Sequence, residues 1–159
     1  MYSELVTEQL ASFLGSDLLH LISDGEKLRT VSGDFYDYSF AVFPFAKAYE
    51  GYLKKLFYQI GAITKFQYES DHWRVGRALN PQLEKDSRHE ESVYDHIVNY
   101  CGGTKIADIF WDAWKKGRNQ IFHYFPQHYH PITKEEAVAI TKEIIEAMEK
   151  GLHECKIDH

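Results

Sequence analysis

The chain has 159 residues, 44% of them hydrophobic and 15% aromatic, and its 18 Lys plus Arg against 24 Asp plus Glu give a formal net charge of −6. That length suits one domain, expected over residues 1–159, that buries roughly two-thirds of its unfolded surface. The acidic balance argues against general, salt-driven adhesion to nucleic acid, and the most apolar run, YSFAVFPFAKAYEGYLKKLF, is interrupted by Lys47, Glu50, Lys54 and Lys55, so no membrane span is expected.

Five helices are expected, with no strand alternation. The first runs from about Ser3 to Ile22, capped by Ser3, with Leu5, Leu10, Phe13, Leu14, Leu18 and Leu21 as its apolar stripe. Glu4 and Glu8 and the lack of a basic leader make this segment read as a helix and not a signal peptide. DGEKLRTVSGD, residues 24–34, is expected to break it. The second helix starts near Asp37 or Ser39 and continues to about Ile60, with Gly61 as the stop; Pro44 fits either a start just before it or a kink. It is apolar nearly all round, as a central bundle helix would be. Residues 61–87, with Gly76 and Asn80-Pro81, read as a loop or a small inserted element. A third helix spans about Ser87 to Cys101 and ends at Gly102-Gly103. A fourth is capped by Thr104 and stopped by Pro126. The last opens with Thr133-Lys134-Glu135-Glu136, a capping box, and runs to about Glu154. The architecture expected is an all-α bundle.

Cys101 and Cys155 form no CxxC pair and no zinc-ligand spacing, which favours a reduced, cytoplasmic setting without structural disulfides. The histidines His123, His128 and His130 match no closed zinc motif either, so neither a metal nor another cofactor is expected. His128 and His130 straddle Tyr129 and are expected at a cleft rim.

On a helical wheel at roughly 100° per residue, the fourth helix separates its chemistry. Ile106, Phe110, Ala113, Gly117, Ile121 and Tyr124 form the expected core face. Asp108, Asp112, Lys115, Asn119 and His123 lie opposite, and Trp111, Trp114, Arg118 and Phe122 form the shoulder between. Arg118 and His123, five apart, would diverge by about 140° on an ideal helix, but Phe125 precedes a proline and is biased away from helical torsions, so the last turn is expected to loosen at His123. Asn119 is the i,i+4 neighbour of His123 and is placed to fix its tautomer. Taken alone, His123 is equally the dipole-stabilised histidine of a helix C-terminus, and Trp111, Trp114 and Phe122 are as well suited to a core as to stacking on bases.

The string Arg118-Asn119-Gln120-Ile121-Phe122-His123 resembles the R-x4-H motif of the HEPN (higher eukaryotes and prokaryotes nucleotide-binding) domain, an α-helical family rich in metal-independent RNases. Residues 37–57, with Lys47-Ala48-Tyr49-Glu50-Gly51-Tyr52-Leu53-Lys54, are similar to the first long helix of the HEPN domain in RNase LS toxins. The resemblance covers roughly residues 34–155. It implies a catalytic set of Glu50, Arg118 and His123, with Asn119, Lys54, Lys115 and Trp114 contacting an RNA substrate. It also implies a two-fold homodimer around the fourth helix and restraint by an antitoxin protein. Residue by residue, Glu50 also fits a solvated Lys47, Glu50, Lys54 stripe held by an i,i+4 ion pair. An RNase of this kind uses the substrate's 2′-OH as nucleophile, Arg118 to clamp the phosphate and His123 as proton carrier. The alternatives are a non-catalytic HEPN module that binds nucleotide or protein, and a purely structural bundle.

Overall fold

The computed structural model describes residues 4–83 and 92–157. Among them every regular element is helical: α1 (Glu8–Arg29), α2 (Ser39–Gln59), α3 (Lys65–Glu69), α4 (Val75–Leu79), α5 (Val93–Tyr100), α6 (Thr104–Trp114) continuing through a π-helical turn (Lys115–Asn119) into α7 (Gln120–Phe122), and α8 (Lys134–Glu154). The all-α bundle is as expected, and none of these helices is long and apolar enough to cross a membrane.

The bundle is organised on α2. Eleven of its residues are buried, among them Phe45, Tyr49, Tyr52, Leu53, Leu56 and Phe57, so α1, α8 and the π-helical turn can all pack around it. Two phenols inside this core find carbonyl partners: Tyr49 Oη donates to Phe110 O and Tyr52 Oη to Met148 O, both at 2.9 Å. Burial pushes both phenols well above their ordinary range, and the nearby Glu149 carboxylate adds to this at Tyr52, so they stay protonated.

Helix α1 departs from the sequence reading at both ends. Its cap is Thr7, whose hydroxyl accepts from Leu10 N at 3.2 Å; Ser3 lies outside the described residues. The stretch DGEKLR continues the helix to Arg29 because Gly25 lies directly under the Phe45 ring. That glycine marks a close helix crossing and not a stop. The real interruption is Gly15, at φ +76° and ψ 173°, a conformation that glycine alone adopts at little cost. The kink orphans carbonyls of the preceding turn, and the Lys55 ammonium donates to two of them, Leu14 O at 2.6 Å and Phe13 O at 3.3 Å.

Between α2 and α5, residues 61–83 are a packed segment. Thr64 and Gln67 make a capping box for α3, and Val75, Ala78 and Leu79 of α4 are buried. Helix α5 begins after Ser92, whose hydroxyl accepts from Asp95 N; the Ser87 start falls outside the described residues. Thr104 is the first residue of α6, and Gly103, at φ 139°, occupies the cap position without a side-chain bond. The Thr133–Glu136 capping box forms on α8 as expected. Cys101 and Cys155, expected to remain reduced, are joined in a disulfide across 54 residues. Sequence spacing hid this bond because it joins the ends of two helices that meet only in the folded bundle.

Helix α8 seats against the core through Gly151. A methyl group there would run into Tyr52 Oη and the Phe110 ring, both completely buried. Gly151→Ala is therefore expected to destabilise the fold by about 1–3 kcal/mol through overpacking, more than offsetting the roughly 1 kcal/mol of helix propensity that alanine would gain. Thermal or denaturant unfolding measures this directly, and an alanine variant as stable as the parent would mean that the α8 seat is looser than described.

Candidate functional site

The seam between α2 and the α6–α7 helix carries the chemistry-bearing residues. Its decisive local feature is the π-helical turn at Lys115–Asn119. Trp114, at its start, is driven into the core, 2% exposed and tilted against Tyr49. Gly117 sits directly on Ile144 of α8, where any side chain would collide. Trp114 and Gly117 both face the core across the start of this turn, and π-bulges of this kind gather at functional sites. The extra residue rotates everything downstream by about 100° relative to an ideal wheel. Tyr124, expected in the core, is 69% exposed, because the helix ends at Phe122 and the chain turns extended at His123.

The turn presents Arg118 to α2. Its Nε lies 3.4 Å from Glu50 Oε2, with the two side chains 35% and 31% exposed. The guanidinium also lies 4.7 Å from the Trp114 ring centroid and 5.8 Å from that of Phe122, and Phe122 in turn meets Phe43 at 5.2 Å. An arginine held by a carboxylate edge and two aromatic faces has lost much of its rotamer freedom while keeping donors for an anion. Glu50 pairs with Arg118 and not with Lys47 or Lys54, so the solvated-stripe alternative does not describe it. An ion pair this open to water contributes no more than about 1 kcal/mol to stability, which leaves its framing unexplained by folding alone.

His123 ends α7 with extended torsions, φ −103° and ψ 138°, the loosening expected before Phe125-Pro126. Its imidazole touches the Phe125 ring, centroids 5.9 Å apart, and makes no hydrogen bond within the described residues. It opens into a cleft of about 470 Å³ whose lining includes Lys116, Gln120, His128, His130, Tyr129 and Asp37. Arg118 and Glu50 lie outside this lining. Along α2, Glu50 is eleven residues from Ser39 at the cleft, an axial rise of about 16 Å. Glu50 and Arg118 thus come together, and His123 stands farther along the same seam.

A strap, residues 123–133, closes the cleft and is tied to the start of α2. Tyr38 N donates to Ile132 O at 3.0 Å, Tyr129 Oη donates to Asp37 Oδ2 at 2.6 Å, and Ser39 N and Oγ both donate to Asp37 Oδ1. Partial desolvation pushes the Asp37 carboxyl up, but the hydrogen bonds from Ser39 and Tyr129 outweigh it and hold the group below its ordinary 3.8. The bond to Asp37 pushes the Tyr129 phenol up to about 12. The signs follow. Asp37's contribution is present above about pH 4 and is lost as pH falls through its lowered value, whereas Tyr129's is present below about pH 10 and is lost as pH rises through about 12. Asp37→Asn is expected to return the Tyr129 phenol toward 10, measured as the absorbance at phenolate wavelengths that Tyr129→Phe abolishes.

The remaining expected contacts scatter. Trp114 cannot stack on a base, because it is a core residue. Lys54 lines a different groove, with Gly15, Ser16, Asp17 and Tyr68. Lys115 pairs with Asp112 at 3.2 Å and covers Trp111. Asn119 is half-buried in the π turn, and its side chain makes no bond to His123. His128 and His130 do line the cleft, with His130 Nε2 3.3 Å from Glu136 Oε1. Asp37 and Tyr129, 92 residues apart, had no local signal that could join them. Among the described residues no cluster of three or more His, Cys, Asp or Glu could hold a metal ion. No family model, curated protein or solved structure matches the chain, so the site rests on its own geometry.

Proposed function

We propose that the chain is a metal-independent endoribonuclease of the HEPN type, with Arg118 and Glu50 at the phosphate and His123 as proton carrier. The observation that carries this reading is the partly exposed Arg118–Glu50 pair, brought together from two helices and backed by the buried Trp114 and the exposed Phe122. Arg118 cannot lose its proton, so it serves as clamp and charge stabiliser. His123, whose imidazole makes no hydrogen bond within the described residues, serves as the proton carrier. In the reaction the 2′-oxygen bonds to phosphorus as its proton passes to a base. The bond from phosphorus to the 5′-oxygen then breaks as an acid protonates the leaving oxygen, giving a 2′,3′-cyclic phosphate and a 5′-hydroxyl.

The distance along α2 between Glu50 and the His123 cleft favours a composite site, in which a second copy related by a two-fold axis brings its own His123 toward Arg118 of the first. Restraint of such a toxin-like RNase by an antitoxin protein belongs to the same proposal. A non-catalytic module binding nucleotide or protein is favoured by one observation: Arg118 is already neutralised by Glu50 in a chain of net charge −6. Cleavage of mixed RNA in EDTA separates the two. Wild type is expected to cut and His123→Ala to cut about 10²–10⁴-fold more slowly. Equal rates would remove His123 from the chemistry, and loss of wild-type activity on chelation would contradict a metal-free mechanism.

A further inference from the structure

The cleft beneath the strap is a second feature of the seam, distinct from the Arg118–Glu50 pair. We infer that it is a ribonucleotide subsite, which receives one unstacked base and its phosphate from the RNA strand; the inference rests on the nuclease proposal and adds a place where substrate is selected. Its volume of about 470 Å³ lies in the range of small-ligand pockets. The floor is apolar, formed by Ile121, Ile132 and Ile140 from three elements. A planar base can be buried against such a surface.

The rim supplies hydrogen-bonding capacity that the fold does not consume. His130 is engaged by Glu136, Lys116 by Glu143 at 3.0 Å, and Tyr129 by Asp37. The imidazole of His128 and the carboxamide of Gln120 make no hydrogen bond within the described residues, yet both line the cleft, beside the proton carrier His123. Imidazole and carboxamide each offer donor and acceptor atoms, which suits a base edge or a phosphate oxygen. Sequence order adds a geometric reason: Gln120 and His123 flank Phe122, whose ring contacts the Arg118 guanidinium. A strand clamped at Arg118 would therefore run toward this cleft. The subsite would select a neighbouring nucleotide, leaving the reacting phosphate to Arg118 and the proton carrier His123.

The test is titration of the full chain with 5′-AMP, 5′-GMP, 5′-CMP and 5′-UMP separately, followed by calorimetry and by the histidine ring NMR signals. At least one is expected to bind saturably, with a Kd of about 10 μM to 1 mM, and to shift the His128 ring signals. Ile140→Trp, which fills the floor, and His128→Ala, which strips the rim without touching the core, are each expected to weaken binding, by about tenfold and several-fold respectively. Lys65→Ala, on α3 and outside the cleft, should leave binding unchanged. Absence of saturable binding by all four nucleotides, or equal affinity in both cleft variants, would overturn the inference. RNA cleavage without mononucleotide binding would remove the subsite alone, whereas nucleotide binding by a protein that cuts no RNA would keep the cleft and remove only the nuclease.

Discussion

Arg118→Ala is expected to slow RNA cleavage by about 10²–10³-fold, the loss typical of removing one preorganised donor from developing negative charge, while leaving the melting temperature nearly unchanged. The two halves of this expectation come from the same geometry. Arg118 and Glu50 are each about one-third exposed, so breaking their ion pair costs the fold no more than about 1 kcal/mol, and Glu50 is open enough to be solvated when left alone. The catalytic loss is larger because the guanidinium is held before substrate arrives, by a carboxylate and by the faces of Trp114 and Phe122. Arg118→Lys should recover little: an ammonium keeps the charge but presents no flat fork to stack on Trp114 while reaching both Glu50 and a phosphate. Glu50→Gln retains shape and removes charge, and is expected to fall between wild type and Arg118→Ala. Cleavage rates measured beside thermal melts decide the matter. An alanine variant that cuts as fast as wild type, or one whose activity falls only in step with its stability, would leave the arginine a surface ornament of the helix.

What was legible in the sequence follows the range of the interactions concerned. Local signals carried well: the α2 boundaries, the Thr133–Glu136 box and the loosening of the chain at His123 depend on residues within a turn of one another. Gly25 was misread because its role depends on Phe45, twenty positions away. The π turn was invisible to a wheel of fixed pitch, which sees neither the seat of Trp114 in the core nor the contact of Gly117 with Ile144. The wheel placed Tyr124 wrongly because it ran past Phe122, where the helix ends and the chain turns extended. Within the site, Glu50 and Arg118 could be suspected together only through a family resemblance, because no periodicity links α2 to α6. The Asp37–Tyr129 tie and the Cys101–Cys155 bond were lost for the same reason, being contacts that only the folded topology creates.

The disulfide supports the second large expectation. Joining residues separated by 54 positions removes loop freedom from the unfolded chain worth about 4 kcal/mol in the chain-entropy treatment. For a protein of this size each kcal/mol moves the melting point by roughly 2–4 °C, so the combined variant Cys101→Ser, Cys155→Ala is expected to melt about 8–16 °C below wild type. A thiol reductant should produce the same drop in wild type and none in the variant. Two titratable thiols in the native, non-reduced protein, or a melt indifferent to reductant, would show that the bond does not form in solution. Activity per folded molecule should respond far less than stability. The closed loop encloses Arg118 and His123, but the bond sits before α6, and about 20 Å of helix axis separate Thr104 from Arg118. The ion pair of Arg118 with Glu50, its aromatic frame and the ties of the strap to α2 all lie at the other end of that helix, so opening the disulfide loosens the bundle from the end away from the site.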